Sequence, residues 1–251
     1  ALAKSKTYSI INIAGLAIGM AACIMILLYI RYEQSFDSWI PDVENTYQFQ
    51  TYGKNPDDGQ EFNIRMASYV TKDRLKKDFP QVVSAAYLQD NGPVFLKDGQ
   101  ATATEDFLFT DDDFLKVVNL PLIAGSTLTA PQTAVITQGE AIKRFGTDKV
   151  VGSTLTVISR GEKRDFKING LLQDLPKNSH MKVNAIMRLD YAAFNASSPQ
   201  FLTCWGCQSG WVYLKVRPGT DIKAMQAQLP AWEKRNIPDE PLGDVMYNSG
   251  T

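Results

Sequence analysis

Ile10-Ile-Asn-Ile-Ala-Gly-Leu-Ala-Ile-Gly-Met-Ala-Ala-Cys-Ile-Met-Ile-Leu-Leu-Tyr-Ile30 is the stretch on which the organisation of this 251-residue chain turns. It contains no charged residue, and Asn12 is its one strongly polar side chain. At about 1.5 Å of rise per residue it spans roughly 30 Å as a helix, the thickness of a bilayer's hydrocarbon core. A buried helix of a soluble protein normally keeps a polar face, and this segment has none. A cleavable signal peptide has a shorter apolar core ending in small residues. Met20-Ala-Ala-Cys23 has a faint likeness to a lipoprotein processing site, but Ile24-Met-Ile-Leu-Leu28 prolongs the apolar run where a mature lipoprotein would turn polar. The segment reads as an uncleaved anchor, with Cys23 as a small apolar residue inside it.

Its flanks set an orientation. Lys4 and Lys6 precede the span, whereas Glu33 and Asp37 follow Arg31. The excess of cationic residues on the cytoplasmic side then puts the N-terminus in the cytoplasm and everything after Arg31 across the membrane. Tyr8, Tyr29 and Tyr32 stand where interfacial aromatic residues belong. Within the span, Gly15 and Gly19 form a G-x-x-x-G with Ala14, Ala17, Ala21 and Ala22 nearby, a small-residue face on which another helix backbone can approach closely. Such a face points to membrane helices absent from the chain.

All 27 acidic residues lie after Ile30, together with every one of the 26 basic residues except Lys4 and Lys6. This aqueous portion is slightly acidic and has no cationic excess to neutralise phosphates, which excludes a nucleic-acid footprint. Arg31–Trp39 is expected to prolong the membrane helix as a stalk until Pro41 stops it. Thr46–Tyr52 reads as a strand, Pro56–Gly59 as a turn, Ser68–Phe79 as a helix with Val70, Leu75 and Phe79 apolar among charged residues, and Val82–Leu88 as a strand. The middle carries short strands at Pro93–Leu96 and Ala101–Leu108. Asp111-Asp-Asp113 then suits the N-terminus of a helical turn reaching Val117, where carboxylates meet free amides; a calcium or magnesium site is the sharper alternative. Gln132–Thr137 is strand-like, Gln138–Phe145 a helix with Gly146 after it, and Thr154–Ser159 with Asp165–Leu172 a hairpin. Asp174–Met181 is a loop. Gly210–Val216 and Asp221–Leu229 repeat the strand-then-helix order seen earlier. Strands and helices mixed without regular alternation indicate α+β.

The chain has no G-x-x-x-x-G-K-[ST] phosphate loop, no G-x-S-x-G elbow and no H-E-x-x-H helix. His180 is the only histidine, and it reads as a locally hydrogen-bonded loop residue. Catalytic, cofactor and metal sites are therefore expected to be absent, and the chain is not expected to be an enzyme. Cys204-Trp-Gly-Cys207 is open to three readings: a redox pair, half of a zinc site or a local disulfide, of which the last leads in an oxidising compartment.

Several segments together resemble a known family. Ile11–Gly19 followed by Tyr32-Glu-Gln-Ser-Phe-Asp37 is similar to the first membrane helix and stalk of MacB/FtsX-type ABC-transporter permeases. Asp112–Leu115, Leu122–Gly125, Ala134–Thr137, Ala141–Gly146, Val151-Gly152 and Asn169–His180 match the ordered pattern of the family's periplasmic core domain. The resemblance implies one N-terminal transmembrane helix and a two-subdomain mixed α/β periplasmic domain. Residues 1–31 are then a cytoplasmic stub and the membrane helix, and 32–90 the stalk and first half of a strand-helix, porter-like subdomain. Residues 91–204 are an inserted strand-rich subdomain, and 205–251 the second half of the first. It further implies a bacterial inner-membrane protein in which ATP hydrolysis by a cassette ATPase partner drives periplasmic movement (mechanotransmission) for export or extraction of a substrate. Partners would be the ATPase subunit, the remaining helices of a dimeric permease, which would follow residue 251, and a periplasmic adaptor. Ala1 is then not the natural start. Gly15 and Gly19 would pack helices, and the stalk residues Glu33, Phe36 and Asp37 would transmit motion. The Cys204/Cys207 pair does not belong to the resemblance. The alternative is a membrane-tethered periplasmic sensor or regulator acting through protein contacts, and a third reading is a thiol oxidoreductase using Cys204 and Cys207.

Overall fold

The computed structural model describes residues 6–54, 58–112 and 114–237, so Pro56 and Asp57 of the expected turn, Asp113 and the C-terminal residues 238–251 lie outside it. The chain divides into two compact units, one formed by residues 1–39 with 176–181 and one by 40–175 with 182–251.

The first unit is dominated by helix α1 (Lys6–Gln34). Among the described residues it is the one helix long and apolar enough to cross a membrane. Its apolar side chains pack on nothing: Ile11, Leu16, Ile18 and Leu27 are all more than half exposed. In water that surface would be untenable, whereas in lipid it is the surface required. The helix stops at Gln34 and does not run on to Trp39 as the stalk reading expects. The Ser35 hydroxyl donates to the Tyr32 carbonyl at 2.6 Å, competing with helical hydrogen bonding. Asp37 then adopts a left-handed backbone with φ 57°, which no α-helix accommodates.

The second unit is built on a mixed sheet. In chain order its elements begin with strands β1 (Thr46–Gln48), β2 (Thr51–Lys54) and β3 (Glu61–Ile64), helix α2 (Tyr69–Asp78), and strands β4 (Val82–Gln89), β5 (Val94–Lys97), β6 (Gln100–Ala103) and β7 (Phe107–Thr110). They continue with α3 (Phe114–Val117), β8 (Leu122–Gly125), β9 (Thr133–Thr137), α4 (Gln138–Phe145), β10 (Thr154–Ser159), β11 (Glu162–Leu172) and β12 (Ala185–Arg188). Helix α5 (Tyr191–Phe194), β13 (Trp211–Val216), α6 (Ile222–Gln226) and α7 (Leu229–Asn236) complete the unit. Eleven strands form one sheet in the order β1-β13-β4-β7-β12-β9-β11-β10-β5-β6, with β8 on β11, while β2 and β3 pair as a separate hairpin. β7 with β12 and β9 with β11 are parallel, and the other pairings are antiparallel. Such a mixture matches the α+β reading.

Periodicity explains the well-placed elements. β10 alternates buried Leu155, Val157 and Ser159 with less buried neighbours, the pattern of a strand covered on one face. β9 and β7 are buried throughout, as fully covered central strands are. Gly146 closes α4 with φ 75°, a backbone conformation glycine adopts without strain. The early and late strand-helix units meet directly, because β13 inserts between β1 and β4. Helix α2 packs on β4 and β13, with Leu75 fully buried beneath it.

Candidate functional site

Where α1 ends, the first unit forms a polar latch. Asn178, from the 176–181 loop, donates its side-chain amide to the Ser35 carbonyl at 2.9 Å and to the Ser35 hydroxyl at 3.0 Å. The Asp37 amide donates back to the Asn178 carbonyl at 3.0 Å. One carboxylate oxygen of Asp37 accepts from the Ser179 hydroxyl at 3.2 Å and from the His180 amide at 3.1 Å, and the other meets His180 Nδ1. The left-handed turn at Asp37 aims its carboxylate at the loop, and aspartate is among the few side chains that take this conformation readily. Phe36 stacks edge-on against Tyr32 at 5.3 Å, fixing the last turn of the stalk. Glu33 is exposed and takes no part in the latch. Of the three expected stalk residues, Asp37 alone reaches the loop.

Along α1, Gly15, Gly19 and Cys23 lie four residues apart, and with Leu16, Met20 and Ile24 they line a shallow groove. A Cβ built on either glycine would meet nothing within 4 Å, so the groove is open for a second helix.

The second unit contains a buried ionic cluster. Lys72 on α2 is 6 % exposed, and its ammonium lies 2.8 Å from Asp111, 3.1 Å from Asp112 and 3.0 Å from Asp73. Burial opposes a charge there, but the attraction and hydrogen bond of Asp111 win and hold the ammonium above the usual lysine range. Tyr69, stacked on Tyr191 at 5.1 Å, has its phenol raised by burial and by the charge of Asp111. Asp111 is therefore the buried counter-ion of Lys72 and not an N-terminal cap of α3, as its sequence context suggests. Lys72, which falls among the expected polar positions of its helix, is buried for the same reason.

Beside this cluster, β1, β13, α2, α6, α7 and the segment entering β2 line an open-sided cavity of about 390 Å³. Tyr47, Phe49, Tyr52, Trp205 and Trp232 are prominent in its walls. Cys204 and Cys207 are joined by a disulfide, and the loop they close presents Trp205 edge-on to Trp232 at 5.7 Å. The Trp232 indole N–H donates to Asp78 at 2.9 Å.

The family model for the MacB-like periplasmic core domain matches residues 9–232, from within the membrane helix to α7. The chain belongs to this family. No curated protein matches it. Solved structures share the fold, two of them as follows. A domain described as that of a permease protein from Porphyromonas gingivalis is 22% identical, with a TM-score of 0.64 over 80% of this chain and 85% of that one. The periplasmic region of MacB from Actinobacillus actinomycetemcomitans is 12% identical, with a TM-score of 0.52 over 78% and 88%.

In this MacB-like domain, Asp37 and His180 stand 143 residues apart in the sequence, and no local pattern joins them. The available signal was the Pro-Lys-Asn-Ser-His run, dense in residues that hydrogen-bond backbone, at a distance only the fold closes. Lys72–Asp111 had a weaker signal, since a lysine between Val70 and Leu75 is equally at home on a solvated face. The cavity had none, because its walls come from four separate segments of sequence.

Proposed function

We propose that the chain is the membrane-anchored periplasmic part of an ABC-transporter permease of the bacterial inner membrane, with residues after Arg31 in the periplasm. ATP hydrolysis by a cassette ATPase partner moves the other helices of a dimeric permease. Helix α1 packs against those helices through Gly15 and Gly19, and its stalk carries the movement outward for export or extraction of a substrate, with or without a periplasmic adaptor. The chain itself performs no covalent chemistry in this reading.

The observation that carries the proposal is the Asp37 latch. A membrane helix that served only as a tether would need no ordered joint at its end. This one ends in a left-handed turn whose carboxylate and amide are both engaged by the 176–181 loop. In the chain that loop follows β11 and leads into β12, so the latch holds the stalk to a segment covalently continuous with two strands of the sheet. Each bond is worth about 1 kcal/mol, enough in sum to hold a joint and small enough to remake it.

The test is to purify the full-length parent protein from solubilised membranes and assay for a stoichiometric ATPase. A co-purifying nucleotide-binding subunit whose hydrolysis rate changes with Asp37→Ala supports the reading. Absence of any ATPase in several detergents rejects it in favour of a membrane-tethered sensor.

A further inference from the structure

We propose that the cavity between β1, β13, α6 and α7 is a binding site for a lipophilic organic monocation. Its volume of about 390 Å³ lies within the range of small-molecule pockets. Tyr47, Phe49, Tyr52 and Trp205, none of them fully buried, stand in its walls, and the face of an aromatic ring attracts a cation through its negative centre.

The charges of the wall agree in sign. Among the described lining residues Glu233 is the one carboxylate, and there is no lysine, arginine or histidine. Glu233 forms no ion pair with another described residue. The cavity thus offers aromatic rings and one carboxylate. An anion would meet repulsion from every one of them, and a strongly hydrated cation such as an ammonium ion would lose more water than the apolar walls replace.

The test uses the full chain in lipid nanodiscs and two ions of nearly the same shape and opposite charge, tetraphenylphosphonium and tetraphenylborate. Equilibrium dialysis measures uptake of each, with the variant Ile222→Trp, which fills the cavity, in identical nanodiscs as the baseline for lipid partition. The expected result is saturable one-site uptake of the phosphonium above that baseline and none of the borate. Glu233 is part-exposed, so Glu233→Gln keeps the fold while weakening phosphonium binding about three- to fivefold. Equal uptake of both ions overturns the proposal, as does phosphonium binding that neither variant changes. Absence of saturable uptake overturns it too.

Discussion

The Asp37 latch and the Lys72 cluster are both polar networks joining distant parts of the sequence, yet they are built for opposite purposes. The latch is partly exposed, with the His180 side chain 40% accessible, and it relies on single hydrogen bonds to backbone and small side chains. The Lys72–Asp111 pair is almost dry, at 7% and 8% side-chain accessibility, and is surrounded by Tyr69, Tyr87 and Tyr191. Water can replace the latch bonds at little cost, but it cannot reach the buried pair without opening the core. A second buried pair, Arg144 with Glu140 at 2.7 Å, stiffens α4 in the same manner. The difference teaches that solvent competes for the bonds at the stalk end and not for the ion pairs inside the sheet unit, which is the contrast the proposed movement of the stalk would use.

The largest effect should come from breaking the rigid side. Lys72→Met strands the Asp111 carboxylate in the core and should cost about 3–5 kcal/mol in urea unfolding followed by tryptophan fluorescence. The double variant Lys72→Met/Asp111→Leu should recover most of that loss. If the single variant is as stable as the parent, the cluster is not the lock described here. Next in size is Gly210→Ala, whose Cβ would fall 2.3 Å from the Leu88 carbonyl oxygen and 2.5 Å from the Tyr87 ring. It should cost about 1–3 kcal/mol by overpacking.

Alkaline pH sharpens the same contrast. Burial pushes the Tyr87 phenol up to about 12, so the folded protein holds that proton more tightly than the unfolded chain. Stability from this group is complete below the unfolded value of about 10 and is lost as pH rises from there towards about 12. Tyr69 and Lys72 are shifted upward as well and act with the same sign. Denaturation titrations above pH 10 should show the loss, and Tyr87→Phe should lessen it. The smallest effect on global unfolding belongs to Asp37→Ala. It should leave the unfolding midpoint of the sheet unit unchanged while raising amide hydrogen exchange at Asp37 and His180. Protection unaltered at those amides would show that the latch does not hold.

The sequence made the regular parts legible because their signals are local. Helix α4 begins at Gln138 and ends at Phe145 as its apolar spacing and Gly146 indicate, and β10 matches its alternation residue for residue. The membrane helix was clear from composition alone. Elements lacking such patterns were hidden. Ala101–Leu108 reads as one strand but is two, β6 and β7, separated by a left-handed turn at Asp106. β12, only four residues long, is defined by its partners β7 and β9 more than by its own sequence. The sites were harder still. Asp37 was legible as a stalk residue, but its partner loop lies about 140 residues away, and only tertiary structure brings Asn178 and His180 to it. Lys72 misleads because charge normally signals exposure, and that rule fails where a counter-ion from another segment is waiting.

The most direct test of the coupling is a distance measurement. Spin labels at Glu33, on the exposed end of α1, and at Lys163, on the exposed β10–β11 hairpin, report the stalk and the sheet in the assembled transporter. The account predicts that the inter-label distance changes between nucleotide-free and ATP-bound states, and that the change is lost in Asp37→Ala. A distance that stays the same in both nucleotide states, or shifts equally with and without the latch, would contradict it.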